Sequence, residues 1–393
     1  MGLILNDLKN ACELEHVCDY VNNRTTSSMN YISTENMLPN KGGISESTII
    51  PPGTTTEYKI GDILISNIRP YFQKIWCADR CGGCSADVLC IRAKENTDSK
   101  YLYYLLSQQA FFDYVMSGAK GCKMPRGDKK QIMQWPVNIP AIDVQKKVVA
   151  ILSSLDNKIR LNRRINDNLE EQAKALFKSW FVDFEPFKGG KFVDSELGLI
   201  PKGWSTGTIY SYIDVIYGAP YKSALFNDKK QGLPLIRIRD LKTYTPQYYT
   251  KEVLPNTEYV ECGDIIAGMD AEFIPHIWRG EKGVLNQRLC KFVSKYDYVS
   301  KYYIYSLVYP KLAFVQSYKV GTTVSHLGKA DIDRFKVIVP PEDIIMQYSK
   351  IVNSYFAEIV KVSNENQILS SLRDTLLPKL MSGELSVEEV SLD

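Results

Sequence analysis

Two short segments carry the residue types best suited to meet a phosphate or a base edge. They are Lys120-Gly121-Cys122-Lys123-Met124-Pro125-Arg126-Gly127 and Lys319-Val320-Gly321-Thr322-Thr323-Val324-Ser325-His326. Glycine lets a backbone approach a partner closely, Lys and Arg neutralise phosphates or read guanine, and Thr and His can do either. DNA contact is therefore expected from Lys120, Lys123, Arg126, Lys319, Thr322, Thr323 and His326. Arg69 and Tyr71 follow a strand, and Arg237 and Arg239 alternate along Leu235 to Asp240, which would put basic side chains on one face of each strand. Lys222, beside the Gly218-Ala219-Pro220 turn, is a further candidate. Solvated turns and arginine-bearing surface strands are the competing, blander readings.

Other chemistries find little support. Cys77, Cys81 and Cys84 with Cys90 could suggest zinc, but only Cys81 and Cys84 form a Cys-x-x-Cys pair, and Cys90 reads as a core strand thiol matched by Cys290. His16, His276 and His326 are too scattered to form a metal triad by spacing, so no metal site is expected. The chain has no Gly-x-Ser-x-Gly elbow, no Gly-x-x-x-x-Gly-Lys phosphate loop and no Asn-Pro-Pro-Tyr motif. Asp183 to Lys188 lacks the spacing of a nuclease carboxylate-lysine set. No catalytic residue is assigned, and any chemistry is expected in other chains.

The 393 residues exceed one ordinary core, so two or more domains are expected. Hydrophobic content of 45% with 24% charge excludes a disordered chain, and no apolar run is long enough for a membrane span. Nine cysteines, irregularly spread behind a start that lacks secretion-signal features, favour reduced thiols and a cytoplasmic location. Net charge of +3 means that nucleic-acid contact must come from local patches or from partners.

The elements that position these residues come from a duplication with a period of about 200 residues. Gly61-Asp62-Ile63-Leu64 recurs as Gly263-Asp264-Ile265-Ile266, Ile75-Trp76 as Ile277-Trp278, Leu89-Cys90 as Leu289-Cys290, and Ser99-Lys100-Tyr101 as Ser300-Lys301-Tyr302. Gly121 and Pro140 are answered by Gly321 and Pro340. The first part of each copy reads as strands around a Gly-Asp turn. The second part changes to a 4-3 spacing through Val148, Leu152, Leu155, Ile159, Asn162, Asn166, Leu169 and Leu176. It returns through Tyr348, Val352, Tyr355, Ile359, Val362, Asn366, Leu369 and Leu376. This is a duplicated coiled-coil seam, in which Asn162, Asn166 and Asn366 are expected to fix register. Asp143 and Asp343 fall in the first helical turns, where the dipole favours them, and Pro378 is expected to kink the last turn of the second helix. A helix of about forty residues spans about 60 Å, long enough to act as a spacer.

Tyr31 to Met37, Phe181-Val182-Asp183-Phe184-Glu185-Pro186-Phe187, Leu197 to Trp204 and Leu376-Leu377-Pro378-Lys379-Leu380 through Leu385 resemble segments of type I restriction-modification specificity subunits. The resemblance covers nearly the whole chain. It implies an α+β fold in which two mixed α/β target-recognition domains alternate with two long helices, paired as an antiparallel coiled coil in a pseudo-two-fold tandem repeat. The boundaries expected are 1–141 and 204–341 for the domains, 142–181 and 342–382 for the helical regions, 182–203 for a linker and 383–393 for an acidic tail. The resemblance also implies a non-catalytic subunit that reads a bipartite, asymmetric sequence in double-stranded DNA. Its implied partners are two adenine methyltransferase subunits and restriction/translocase subunits. S-adenosylmethionine, ATP and Mg would bind those partners, and this chain would hold no cofactor. The alternatives are a specificity chain whose partner combines methylation and cleavage, a structural coiled-coil adaptor, and a self-contained nuclease.

Overall fold

A computed structural model describes residues 11–26, 30–45, 53–121, 123–319 and 326–389. The chain divides into two compact units, residues 1–157 with 371–393, and residues 158–370.

In the first unit an antiparallel sheet runs in the order Cys18–Tyr20, Val88–Ala93, Ile63–Ser66, Ile75–Cys77. A smaller sheet joins Arg24–Thr25, Thr55–Tyr58 and Gly82–Cys84. Alternation sends Ile63, Ile65, Leu89 and Ile91 to one face, where they pack with Tyr101, Leu105, Phe111 and Phe112 of helices Ser99–Leu106 and Gln109–Ser117. Leu64, Val88 and Cys90 line a second cluster with Tyr58. The second unit repeats this plan. Its antiparallel sheet runs Ile213–Tyr217, Leu289–Ser294, Ile265–Gly268, Pro275–Ile277, and helix Lys301–Lys319 covers it. A second sheet, in which Leu233–Ile236 and Gly283–Leu285 run parallel, adds Tyr248–Thr250 and Tyr259–Val260.

The Gly-Asp signature is a folding device. Gly61 and Gly263 adopt φ of 89° and 94°, a left-handed conformation that suits glycine. The following carboxylates accept the backbone N–H of Lys59 at 2.7 Å and of Glu261 at 3.0 Å. Asp62 is buried and forms two 2.7 Å hydrogen bonds with the Arg92 guanidinium.

Strand pairing corrects two of the sequence matches. Cys90 faces Leu64, but Cys290 faces Ala267 rather than Ile266. That single-residue slip puts the two thiols in clusters on opposite sheet faces, so they are not equivalent, although both are buried. Trp76 pairs with Leu64, whereas His276, not Trp278, pairs with Ile266. A slip of two keeps the face, which is why the Ile-Trp match survives in sequence.

The long helices are Ile142–Phe181 and Glu342–Ser382. Asp143 and Asp343 lie in their first turns. The first helix ends before Phe184, which adopts a left-handed φ of 53° ahead of Pro186. Residues 182–203, a linker by sequence, contain a hairpin, Phe192–Ser195 paired with Gly198–Pro201. Within the first unit, Val148, Ile151 and Leu152 pack with Leu377, Leu380 and Met381, while Asp156 meets Arg373 at 2.9 Å. Within the second, Ala173 and Phe181 join the cluster of Ile345, Tyr348 and Val352. In each case early turns of one helix meet late turns of the other, so the pairing is antiparallel. Buried Asn162 donates to Glu365 at 2.9 Å and to Asn366 at 3.0 Å, and buried Asn166 donates to Ser363 at 3.0 Å. These polar layers have partners in only one alignment, which supports the register role. Ile159 and Val362 are also buried, whereas Tyr355, Leu169, Leu176, Leu369 and Leu376 are half-buried. The helix continues through Pro378 to Ser382.

Candidate nucleic-acid interface

In the amino-terminal domain the candidate residues converge on one pair of loops. Arg69 donates its backbone N–H to Pro125 at 2.8 Å, and Ile68 forms a bridge with Arg126. Lys120 and Arg126 exchange two backbone hydrogen bonds at 2.9 Å each, closing a tight loop around Gly121 and Lys123. Arg69, Tyr71, Lys120, Lys123 and Arg126 all present exposed side chains there. The Lys120 ammonium, 2.8 Å from Asp128, and two backbone N–H groups pull that carboxyl down to about 2. Asp128 also caps helix Lys129–Met133, so Lys120 secures the loop base. Arg126 meets Asp87 at 3.2 Å.

The carboxy-terminal domain builds the same junction from different residues. Asp270 forms the bridge with His326, and Leu327 donates to Met269 at 2.7 Å, as Gly127 donates to Asn67 at 3.3 Å. Asn67 donates to Asp87, and Met269 to Arg288, both at 2.9 Å, which makes Asp87 and Arg288 equivalent positions. Their charges are opposite. Asp270 compensates by binding both the His326 ring at 2.7 Å and Arg288 at 2.9 Å. Lys319 is half-buried; its ammonium lies 2.6 Å from Asp331 and donates to the His326 carbonyl at 2.9 Å. Thr322 and Thr323 fall outside the described residues.

Arg237 and Arg239 do not alternate on a strand. The strand ends at Ile236, and Ile238–Asp240 form a 3-10 turn, because buried Asp240 accepts the Arg237 backbone N–H at 2.9 Å and draws the chain round. Arg239 is exposed and Arg237 half-buried. The turn adjoins the same loop as His326: Lys242 meets Glu272 at 3.1 Å, and a Cβ at Gly268 would lie 3.3 Å from Ile238 Cγ1. Lys222 is exposed, and its backbone N–H donates to Glu252 at 2.9 Å. Asp87, Asp270, Lys242 and Arg288 were missed in the sequence because their roles depend on contacts across distant segments.

Burial raises the Asp240 carboxyl to about 6, against the lowering pull of the backbone N–H groups and Arg237. Its folded value exceeds its unfolded one, so the stability it contributes is present at low pH and is lost as pH rises through about 6. Asp240→Asn should flatten the pH dependence of this domain's melting between about pH 4 and 6, measured by calorimetry. An unchanged profile would remove Asp240 from that account.

Desolvation pushes the Cys77 thiol up to about 11 and the Cys84 thiol up to about 12. Among the described residues no group of three or more His, Cys, Asp or Glu could hold a metal ion. No described helix is long and apolar enough to cross a membrane.

Two mixed domains, each carrying a loop junction with basic side chains and each followed by a long helix, make up a duplicated chain. The chain belongs to the family of the type I restriction modification DNA specificity domain, whose sequence pattern matches residues 10–171 and again 201–370. It is 28% identical over 325 residues to the type I restriction enzyme MjaIX specificity subunit of Methanocaldococcus jannaschii, covering 76% of this chain and 71% of that one. To the HindI specificity subunit of Haemophilus influenzae it is 24% identical over 433 residues, covering 90% and 94%. The crystal structure of a type I restriction-modification S subunit from M. genitalium aligns over 96% of this chain and 98% of that one, with 15% identity and a TM-score of 0.46.

Proposed function

We propose that this chain selects a split, asymmetric DNA sequence for a type I restriction-modification complex, each domain reading one half. One observation carries the reading: the same loop junction is built twice, with Arg126 and Asp87 in one domain and His326, Asp270 and Arg288 in the other. A shared frame with different side chains suits two different half-sites. The paired helices set the gap and dock two methyltransferase subunits, with restriction/translocase subunits joining for cleavage. The chain itself is non-catalytic and acts in the cytoplasm. S-adenosylmethionine, ATP and Mg bind the partner subunits.

The test is to co-express the chain with its modification subunit and map methylated adenines at base resolution. One split motif, lost when the chain is omitted, is the expected result. Inserting one heptad in both helices should lengthen the gap by about 10 Å, or about three base pairs. Methylation indifferent to the chain would favour the structural adaptor, and a gap unchanged by matched insertions would refute the spacer role.

A further inference from the structure

Arg237 differs from the other candidate bases in how it is held. Its guanidinium lies 5.2 Å from the ring centre of Tyr248 and 5.9 Å from that of Phe226, and the two rings are themselves 6.0 Å apart. The Asp240 turn fixes its backbone. Among the described residues no hydrogen bond or ion pair engages the guanidinium N–H groups. Stacking occupies the faces of a guanidinium and leaves its in-plane donors free.

The buried Asp240 carboxylate balances part of this charge through space but takes none of these donors, which calls for a further acceptor. A phosphate needs only a mobile charge, which exposed Lys222, Lys229 and Lys230 supply on the segment that leads into and past Phe226. A planar fork already restrained by two rings suits a different target. It has lost much of its rotamer freedom before binding, and its paired donors match O6 and N7 of guanine in the major groove. Resting on the reading of this chain as a DNA specificity subunit, we propose that Arg237 is a specificity-determining residue that reads a guanine in the half-site of the carboxy-terminal domain.

The experiment uses the complex of this chain with its modification subunit and a randomised duplex library, sequenced for methyladenine. The wild-type arm tests the specificity reading itself: a complex without a split motif overturns that reading and this assignment together. Given a motif, Arg237→Lys retains the charge and loses the fork, so discrimination at one guanine should fall about tenfold or more while the other half-site stays unchanged. Tyr248→Leu, which removes one restraining ring, should relax the same position. Melting curves of both variants separate misfolding from altered reading. Uniformly slower methylation of every sequence, with the motif intact, would mean a phosphate contact and overturn the assignment. A lowered melting temperature with motif and rate intact would mean packing alone and overturn it equally.

Discussion

Arg126→Ala should weaken recognition of one half of the target by about tenfold or more and leave the other half read as before; His326→Ala should do the reverse. Arg126 is bonded through its backbone to Lys120, so truncation removes the guanidinium without removing the main-chain bonds that shape the loop. Its contact with Asp87 joins side chains 57% and 36% exposed, and such a pair contributes about 0 to 1 kcal/mol. The guanidinium can therefore exchange Asp87 for DNA at little cost. In the other domain the Asp270 carboxylate holds both His326 and Arg288, so His326→Ala leaves the Arg288 pair in place. Competition binding with duplexes altered in one half at a time reads the effect. Loss of the same bases in both variants would end the assignment of one domain to each half-site.

Arg92→Leu should destabilise the amino-terminal domain by about 3 kcal/mol, because it leaves the Asp62 carboxylate buried without its cation. That carboxylate is 2% exposed and accepts from Nε and one terminal nitrogen of the guanidinium. The matching carboxylate of the carboxy-terminal domain, Asp264, meets Lys301 at 2.7 Å and Lys291 at 3.8 Å. Lys301→Leu should therefore cost less than Arg92→Leu, since a second cation remains. Denaturant unfolding of the full chain, followed by hydrogen exchange in each domain, measures both. Equal losses, or an Arg92→Leu cost below about 1 kcal/mol, would show that the pair is solvated rather than buried.

The helices and the duplication were legible because both rest on local rules. A 4-3 spacing sustained over forty residues has one geometric solution, and the asparagines at Asn162, Asn166 and Asn366 sit where that spacing puts them, facing partners across the seam. Gly61-Asp62 and Gly263-Asp264 were legible as turns because a glycine at positive φ and an aspartate three residues after a backbone donor act within one loop. Register was not legible. Identity between Cys90 and Cys290 outweighed a one-residue loop difference that only the pairing with Leu64 and Ala267 exposes. Arg237 and Arg239 looked like alternating strand residues, yet buried Asp240 ends that strand. The junctions were half legible: the basic loops announced themselves, while Asp87 and Asp270, which orient them, are ordinary aspartates until the chain folds.

The amino-terminal unit is completed by the end of the second long helix, since Leu377, Leu380 and Met381 cover Val148, Ile151 and Leu152. A ribosome must release more than two hundred further residues after Leu152 before that surface can close, since these contacts join widely separated segments. Loops of that length close late. During synthesis the domain made first is therefore the one that waits, and it exposes an apolar stripe to chaperones until the final turns of the second helix emerge. Truncating the chain after its second globular domain would leave that early surface permanently open.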